Sequence, residues 1–255
     1  MPAVNSGFGG NTMLRSILAI TLLVAAVCAK ADVVGIYGGV GYWRANFSGD
    51  VISNVDVEDE LGISGDNSLD LWVGIEHPIP LLPNIRLERT PLKDSGSGTV
   101  KRDFDYQGQT FTVNEQVTTD VDLTHTDATF YYEILDTGMD LDVGLTGRWF
   151  GGEVQVNDAR EDLNILLPML YVRGKFYLPF SGLYIGAKAN GISYKSSRAT
   201  DFALKLGWET DSFIFPEFGV EGGYRRFNIR ADEDDADIDV DVDMDGVFVN
   251  LTAHF

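Results

Sequence analysis

The last nine residues alternate apolar and polar side chains without a break and end in an aromatic residue. Val247, Val249, Leu251, Ala253 and Phe255 share one face, at the period of two that a pleated strand requires. A β-strand needs about nine to eleven tilted residues to cross a bilayer. The pattern therefore predicts a membrane-crossing strand at the carboxy terminus, with these five side chains toward lipid.

The same alternation recurs along the rest of the chain. It is clearest in the first half at residues 68–77, where Leu69, Leu71 and Val73 share one face and Asp70 and Glu76 the other. A further alternation on both sides of Gln107-Gly108 predicts a hairpin within the loop 93–119. Strands are predicted at residues 34–45, 68–77, 84–92, 120–134, 139–156, 164–178, 183–194, 200–209, 214–230 and 238–255.

Connection lengths indicate how these segments are arranged. With the amino terminus in the periplasm, the connections on the periplasmic side are short, at 78–83, 135–138, 179–182 and 211–213. The opposite connections fall at 46–67, 93–119, 157–163, 195–199 and 231–237, and the first two are by far the longest. Bacterial outer-membrane barrels have an even strand number, short periplasmic turns and longer outer loops. An open sheet edge would leave backbone groups unpaired in lipid. The sequence therefore predicts an all-β fold, a transmembrane antiparallel up-and-down β-barrel of ten strands; an eight-strand count would break the parity or omit a strong segment.

The amino-terminal region has the features of a secretory signal. Residues 17–27 form an apolar run too short to span a membrane, preceded by Arg15 and followed by Ala29-Lys30-Ala31. We predict that residues 1–31 are a cleaved signal peptide and that residues 32–255 form a single outer-membrane barrel domain. Because Met13 directly precedes the charged and apolar part, it is predicted to be the true start.

The predicted mature chain is strongly acidic. It has 17 basic and 39 acidic residues, a net charge of −22, and no cysteine. This charge argues against nucleic acid and against simple attraction to anionic headgroups, but it allows divalent cations as intermediaries to lipopolysaccharide. Without cysteine the fold has no disulfide framework and must be held by its core or its membrane.

Three stretches carry a resemblance to known proteins. Residues 123–136 (LTHTDATFYYEILD), 77–86 (HPIPLLPNIR) and 222–225 (GGYR) resemble an uncharacterised family of small Gram-negative outer-membrane β-barrel proteins with no established activity. The resemblance covers essentially the whole mature chain and implies a barrel in the bacterial outer membrane. The carboxy-terminal Phe255 is similar to the signal read by the barrel-assembly machinery, which implies that machinery and periplasmic chaperones as partners during biogenesis.

If the apolar faces meet lipid, charged residues of both signs face the lumen. A ten-stranded barrel is nearer in size to filled eight-stranded barrels than to water-filled porins, so these charges are predicted to form a packed network. We therefore expect a mainly structural and surface-interaction role, with a narrow solute or ion channel as the alternative. The predicted network contains Glu76, Arg86, Glu88, Glu133, Arg148, Arg173, Lys175, Lys188, Glu221 and Arg225, and the same face carries Asp70, Asp142 and Lys205.

His125-Thr126-Asp127 is the sharpest catalytic candidate. Residues two apart on a strand share a face, and an aspartate can orient an imidazole as a general base, as in a hydrolase at the barrel rim. The sequence lacks a recognisable paired-aspartate partner or serine nucleophile motif. We therefore predict that the protein is not an enzyme and that His125 is a lumenal histidine bonded to a neighbour.

An acidic tract precedes the terminal strand. Asp241, Asp243, Asp245 and Gly246 match the opening of an EF-hand loop, but its twelfth position is Thr252 rather than glutamate. No cofactor is predicted beyond low-affinity calcium or magnesium. The apolar residues stand at even positions before Gly246 and at odd positions after it, which predicts a β-bulge there. The hypothetical cation ligands are Asp239, Asp241, Asp243 and Asp245, with Asp56, Glu58, Asp59 and Glu60 in the first long loop.

Overall fold

A computed structural model describes residues 34–52, 54–210, 216–231 and 239–255. The predicted signal peptide with Met13, the start of the ninth predicted strand and the acidic run 232–238 lie outside these described residues. Within them, no helix is long and apolar enough to cross a membrane.

The described residues form fifteen β-strands. These are β1 (Gly35–Val51), β2 (Val55–Asp56), β3 (Gly65–Glu76), β4 (Asn84–Thr90), β5 (Lys93–Thr99), β6 (Phe104–Tyr106), β7 (Gln109–Phe111), β8 (Gln116–Asp122), β9 (His125–Asp136), β10 (Met139–Val156), β11 (Ala159–Tyr177), β12 (Leu183–Tyr194), β13 (Ser197–Glu209), β14 (Glu217–Ala231) and β15 (Val240–His254).

Ten of the described strands close into an antiparallel up-and-down barrel, as the alternation and the connection lengths predict. The order around the ring is β1, β3, β4, β9, β10, β11, β12, β13, β14 and β15, and β15 pairs again with β1. At the closing seam, Phe255 N donates to Ile36 O at 2.8 Å and Ile36 N donates to Phe255 O at 3.1 Å. The last residue is therefore hydrogen-bonded to the first strand.

Of the connections that the structure describes, the short turns 77–83, 137–138 and 178–182 lie at one end of the barrel and the two long loops lie at the other; the predicted turn 211–213 lies outside the described residues. At the long-loop end several strands extend further than predicted: β1 continues to Val51, and β11 begins at Ala159, so that Asn157-Asp158 alone joins β10 to β11. The predicted strand 120–134 is split into β8 and β9. The first part, β8, leaves the ring and pairs with β5 and with the long-loop end of β10, at residues 153–156. The second part, β9, stays in the ring and pairs with residues 140–150 of β10. The hairpin at Gln107-Gly108 is confirmed as β6 and β7, with positive φ at both turn residues.

The predicted β-bulge at Gly246 is wrong. The register of β15 runs without a shift from Val240 to His254 against β14, and the same register holds against β1. The apolar residues move from even to odd positions because they move from the inner to the outer face of the strand. Val242 and Met244 point inward, whereas Val247 and Val249 point outward. The register shift that does occur lies between Leu141 and Asp142, where β10 faces β9.

An apolar belt surrounds the barrel toward the short-turn end. In β13 its exposed side chains run from Phe202 to Trp208, and in β14 from Phe218 to Tyr224, so an aromatic ring stands at each end of the run. Aromatic girdles of this kind border the lipid-facing band of membrane barrels. The apolar belt comprises Tyr42, Leu69, Leu71, Val73, Ile75, Ile85, Leu87, Phe130, Tyr132, Val143, Leu145, Trp149, Leu166, Leu170, Val172, Ile185, Phe202, Leu204, Leu206, Trp208, Phe218, Val220, Tyr224, Val247, Val249 and Leu251.

Candidate functional site

The middle of the barrel interior holds a layer of ion pairs. Arg148 donates to both Asp127 oxygens, at 2.8 Å from Nε and 2.7 Å from Nη2, and also to Asp201 at 2.6 Å. Arg225 donates to the two oxygens of Asp201 at 2.9 and 2.7 Å and lies 3.4 Å from Asp70. These five residues, the central ion layer, are all buried. Because period-two strands send their alternate side chains inward, β3, β9, β10, β13 and β14 supply one residue each.

Aromatic rings cover the two arginines of the central ion layer. The guanidinium carbon of Arg148 lies 4.7 Å from the centre of the Phe227 ring, and that of Arg225 lies 4.5 Å from the Trp43 ring. Two carboxylate bonds and a ring face compensate much of the cost of removing a guanidinium from water. The layer is therefore a packed, largely satisfied part of the interior.

A second group of charges lies on the short-turn side of this layer. Glu88 accepts bonds from Arg86 at 2.9 and 3.1 Å and from Lys188 at 2.8 and 3.0 Å. Arg86 lies over the Trp72 ring at 3.7 Å. One carboxylate thus links β4 to β12 across the interior.

Two further clusters lie closer to the short-turn end. In the first, Arg173 donates to Asp142 at 2.5 Å and approaches Glu76 at 3.6 Å. In the second, Glu221 accepts bonds from Lys205 at 2.6 Å and from Tyr184 at 2.5 Å. Of the sequence-predicted network, the structure brings together Glu76, Arg86, Glu88, Arg148, Arg173, Lys188, Glu221 and Arg225 in such bonds.

A cavity of about 350 Å³ occupies the interior toward the short-turn end. Its mouth is acidic: carboxylate oxygens of Glu133, Asp136 and Asp140 lie within 4.8 Å of one another. The predicted network residue Lys175 stands beside them and reaches Glu209 at 3.4 Å. The remaining predicted member, Glu133, therefore lies at the mouth rather than in the buried network.

The long-loop end is filled by an apolar cap. Burial in this cap raises the pKa of Tyr106 to about 12, and its hydroxyl donates to Val154 O at 3.0 Å. The apolar cap consists of Val55, Val57, Leu61 and Ile63 from the first long loop, Leu92, Val100, Phe104, Tyr106, Phe111 and Val117 from the second, and Phe47, Phe150, Phe227, Val242 and Met244 from barrel strands.

His125 and Asp127 share the inward face, as predicted, but they do not act as a pair. The imidazole is 1% exposed, lies between Phe150 and Phe227, and donates from Nδ1 to Leu123 O at 3.0 Å. Its Nε2 has no hydrogen-bond partner among the described residues. Asp127 is held by Arg148 instead. His125 is therefore enclosed beneath the apolar cap.

The aspartates proposed as cation ligands form a row on the outer face of β15, beyond the apolar belt. Arg226 of β14 donates to both oxygens of Asp243 at 2.7 and 2.8 Å. Arg230 lies 3.6 Å from Asp241, and Tyr224 donates to Asp245. Asp239 is exposed at the start of the row, and the cation site remains a prediction.

The acidic residues of the first long loop have mixed roles. Asp56 accepts bonds from the backbone N–H groups of Glu58 and Asp59, at 2.9 and 2.6 Å. Glu60 is buried and accepts a bond from Lys101 N at 2.7 Å, which ties this loop to the second one. These carboxylates therefore order the loops of the cap.

Sequence reasoning missed the part played by Asp201, which joins Arg148 to Arg225, and it missed the apolar cap. Asp201 shares a face with Lys205, a residue already placed in the lumen, and this shared face was the available signal. The signal for the cap was the change of parity along β15. The predicted outward residues Val247, Val249, Leu251 and Phe255 are exposed, and Ala253 is partly exposed.

These observations define the protein as a closed, ten-stranded antiparallel β-barrel, counted over the described residues, with a charged interior and an apolar exterior belt. No protein-family model matches the chain, and no curated protein matches it. Among solved structures it is similar to the outer membrane protease OmpT from Escherichia coli, with a TM-score of 0.45 and 9% identity over 88% of this chain and 96% of that one. It is also similar to a FadL homologue from Pseudomonas aeruginosa, with a TM-score of 0.36 and 10% identity over 90% and 92% of the two chains.

Proposed function

We propose that the protein is an integral outer-membrane barrel with a closed lumen, and that its role is structural and at the cell surface. The observation that carries this proposal is the inversion along β15. On the carboxy-terminal side of Gly246, Val247, Val249 and Leu251 face outward. On its amino-terminal side the outward residues are aspartates, and the inward ones are Val242 and Met244. The first pattern suits lipid outside, and the second suits water outside.

The neighbouring strand β14 supports the same boundary. Its outward residues change from Val220 and Tyr224 to Arg226 and Arg230, while its inward residues change from Glu221 and Arg225 to Phe227. The short-turn end then lies in the periplasm and the long-loop end at the cell surface, as in bacterial barrels generally.

Two features support a closed lumen. The central ion layer crosses the barrel with Arg148 and Asp201 fully buried, and the apolar cap fills the interior above it. Asp70 and Arg225 are the only members of the layer that line the short-turn cavity, among the described residues. The cavity therefore ends at this layer, which argues against the narrow channel.

Planar bilayer recordings test the closure. We expect purified protein to give little stable conductance in bilayers where a trimeric porin, as a positive control, opens channels. Large and reproducible steps would show that the lumen conducts and would overturn this part of the proposal. Fractionation of a Gram-negative host tests the location, since protein that sediments with the inner membrane or stays soluble would contradict it.

The surface-interaction part of the proposal depends on the long-loop end. Exposed carboxylates are frequent there, including Glu58, Asp59 and Asp105, and the aspartate row of β15 lies directly beyond the apolar belt. We propose that divalent cations bridge these carboxylates to lipopolysaccharide phosphates at low affinity. Calorimetry with calcium and magnesium at millimolar concentration tests this; absence of a binding heat would remove it.

The geometry does not favour the rim hydrolase. A general base must reach the proton that it removes, either directly or through one water. The His125 ring is enclosed by Phe150 and Phe227, and the Asp127 carboxylate is committed to Arg148. We therefore propose that these two residues support the interior rather than a reaction.

A further inference from the structure

Two of the short turns hold a bulky apolar side chain out into the surroundings. Leu81 in the turn between β3 and β4 is 93% exposed, and Phe180 in the turn between β11 and β12 is fully exposed. Both residues have left-handed backbone angles, with φ of 69° for Leu81 and 61° for Phe180. Residues other than glycine, asparagine and aspartate adopt this conformation rarely. In water, an exposed apolar side chain on a left-handed backbone position would cost free energy without a compensating contact.

Both turns are held in fixed shapes. In the first, His77 Nε2 donates to Pro83 O at 3.2 Å while its Nδ1 accepts from Ile79 N at 3.3 Å, a pair of roles that one neutral tautomer satisfies. In the second, Ser181 Oγ donates to Leu178 O at 2.8 Å and accepts from Leu183 N at 3.1 Å. The two tips are therefore presented by structured turns.

The first turn is continuous with the apolar belt. Tyr132, an exposed belt residue of β9, donates its hydroxyl to Leu81 O at 2.9 Å. The turn thus lies against the outer wall of the barrel, and Ile79 and Leu82 beside Leu81 are also more than half exposed.

The second turn continues the exposed apolar surface in the same way. Its flanking residues Phe176 of β11 and Leu183 of β12 are exposed, and Phe180 lies beyond them. At both turns the apolar exterior therefore extends past the strands to the turn tips.

We infer that the turns at 77–83 and 178–182 are membrane anchors, with Leu81 and Phe180 inserted in the lipid of the periplasmic leaflet. The inference rests on the proposed function, because it needs the apolar belt to lie in lipid. Lipid is the occupant that the structure favours, since the tips continue a surface that already requires it, and apolar side chains at this depth anchor proteins at the headgroup and acyl boundary.

Site-directed spin labelling tests the anchors, and the absence of cysteine after residue 31 makes it direct. Leu81→Cys and Phe180→Cys are labelled with a nitroxide and reconstituted in phosphatidylethanolamine and phosphatidylglycerol vesicles. Leu204→Cys in the apolar belt and Val113→Cys, an exposed apolar residue of the second long loop, are the matched controls. Collision rates with oxygen, which concentrates in lipid, and with a water-soluble nickel chelate report the depth of each label.

We expect the labels at Leu81 and Phe180 to favour oxygen over nickel by several fold relative to the Val113 label. If the Leu204 label lies in lipid but the two turn labels behave like Val113, the anchors are wrong and the membrane barrel stands. If the Leu204 label is itself in water, the proposed function fails. Spectral broadening that grows with the protein-to-lipid ratio would show that a second copy covers the turns, and would overturn lipid as the occupant. Ile79→Cys and Leu82→Cys repeat the test if a first variant does not fold.

Discussion

Arg148 holds Asp127 by two parallel hydrogen bonds of 2.8 and 2.7 Å in the buried middle of the barrel. His125 lies two residues earlier on the same face. Because both Asp127 oxygens bind Arg148, this carboxylate does not orient His125 as a base. The most enzyme-like motif of the sequence is thus divided between a packed histidine and an ion pair. Interior charges of this barrel serve first to hold its walls together.

Replacing Asp201 should destabilise the barrel strongly. Asp201→Ala removes one partner of Arg148 and leaves Arg225, among the described residues, a single ion pair, its 3.4 Å contact to Asp70; breaking such a buried pair costs about 3–5 kcal/mol. Asp201→Asn, which preserves the size of the side chain, should lose much of the same free energy. Urea unfolding in lipid vesicles measures the free energy of unfolding.

The exposed pair of Asp59 and Lys101 supplies the control for that experiment. Asp59→Ala removes a 2.9 Å ion pair whose side chains are more than half exposed. Such pairs contribute little, so we expect no clear change in the unfolding midpoint. Equal effects of the two aspartate substitutions would contradict a special role for the central ion layer.

Replacing His125 should not change any hydrolytic activity. Wild-type protein and His125→Ala are incubated with fluorogenic peptides, phospholipid and lipopolysaccharide, and released products are quantified. We expect equal background values, because the ring is enclosed under the apolar cap. His77→Ala, at the other end of the barrel, is the matched histidine control. Activity that His125→Ala alone abolishes would show that the protein is a hydrolase.

Gly246 should tolerate no side chain. A Cβ at this position would lie 1.8 Å from Arg44 O on the neighbouring strand, whereas at Gly222 the nearest atom would be Phe248 O at 3.7 Å. Overpacking of this kind costs typically 1–3 kcal/mol. We expect Gly246→Ala to reduce the folded, heat-modifiable band on gels and Gly222→Ala to leave it unchanged. A fully folded Gly246→Ala protein would mean that the two strands separate easily.

The second long loop should show a pH-dependent contribution to stability. Burial alone would raise the pKa of Asp122, but hydrogen bonds from Lys93 and Thr124 outweigh it and lower this pKa below its ordinary value. Because the folded pKa is depressed, the contribution is present above the ordinary pKa of aspartate and is lost as the pH falls through the folded value.

Carboxyl NMR titration of labelled aspartate in micelles follows this group. The Lys93→Met variant removes the 2.8 Å ion pair, so the pKa of Asp122 should rise while Lys101→Met, in the same loop region, leaves it unchanged. An unchanged pKa in Lys93→Met would show that Thr124 alone stabilises the carboxylate.

Alternation of side chains was sufficient to predict the barrel. Residues 139–156 and 183–194 were predicted with the bounds that the structure shows, because apolar and polar side chains alternate along most of each strand. At the long-loop side β1, β3, β11 and β13 extend further than predicted, since beyond the belt the outer face becomes polar and resembles a loop. At Gly246 the same change of surroundings imitated a β-bulge.

Contacts between strands could not be predicted in the same way. The alternation places Arg148 and Asp201 inside, but their bond depends on the packing of strands that are far apart in the chain. The apolar cap likewise combines two loops with the ends of several strands. A single sequence gives the face of each residue but not which residues meet across the interior.

In the proposed outer-membrane orientation, the continuous register of β15 also constrains how the strand is inserted. Phe255 stays at the short-turn end, whereas Asp241, Asp243 and Asp245 lie on the far side of the segment that contains Val247, Val249 and Leu251. During insertion the charged half of the strand must therefore cross the hydrocarbon layer before the apolar half comes to rest in it. Carrying three carboxylates through lipid is expensive, so assembly by this route needs a protected path for them.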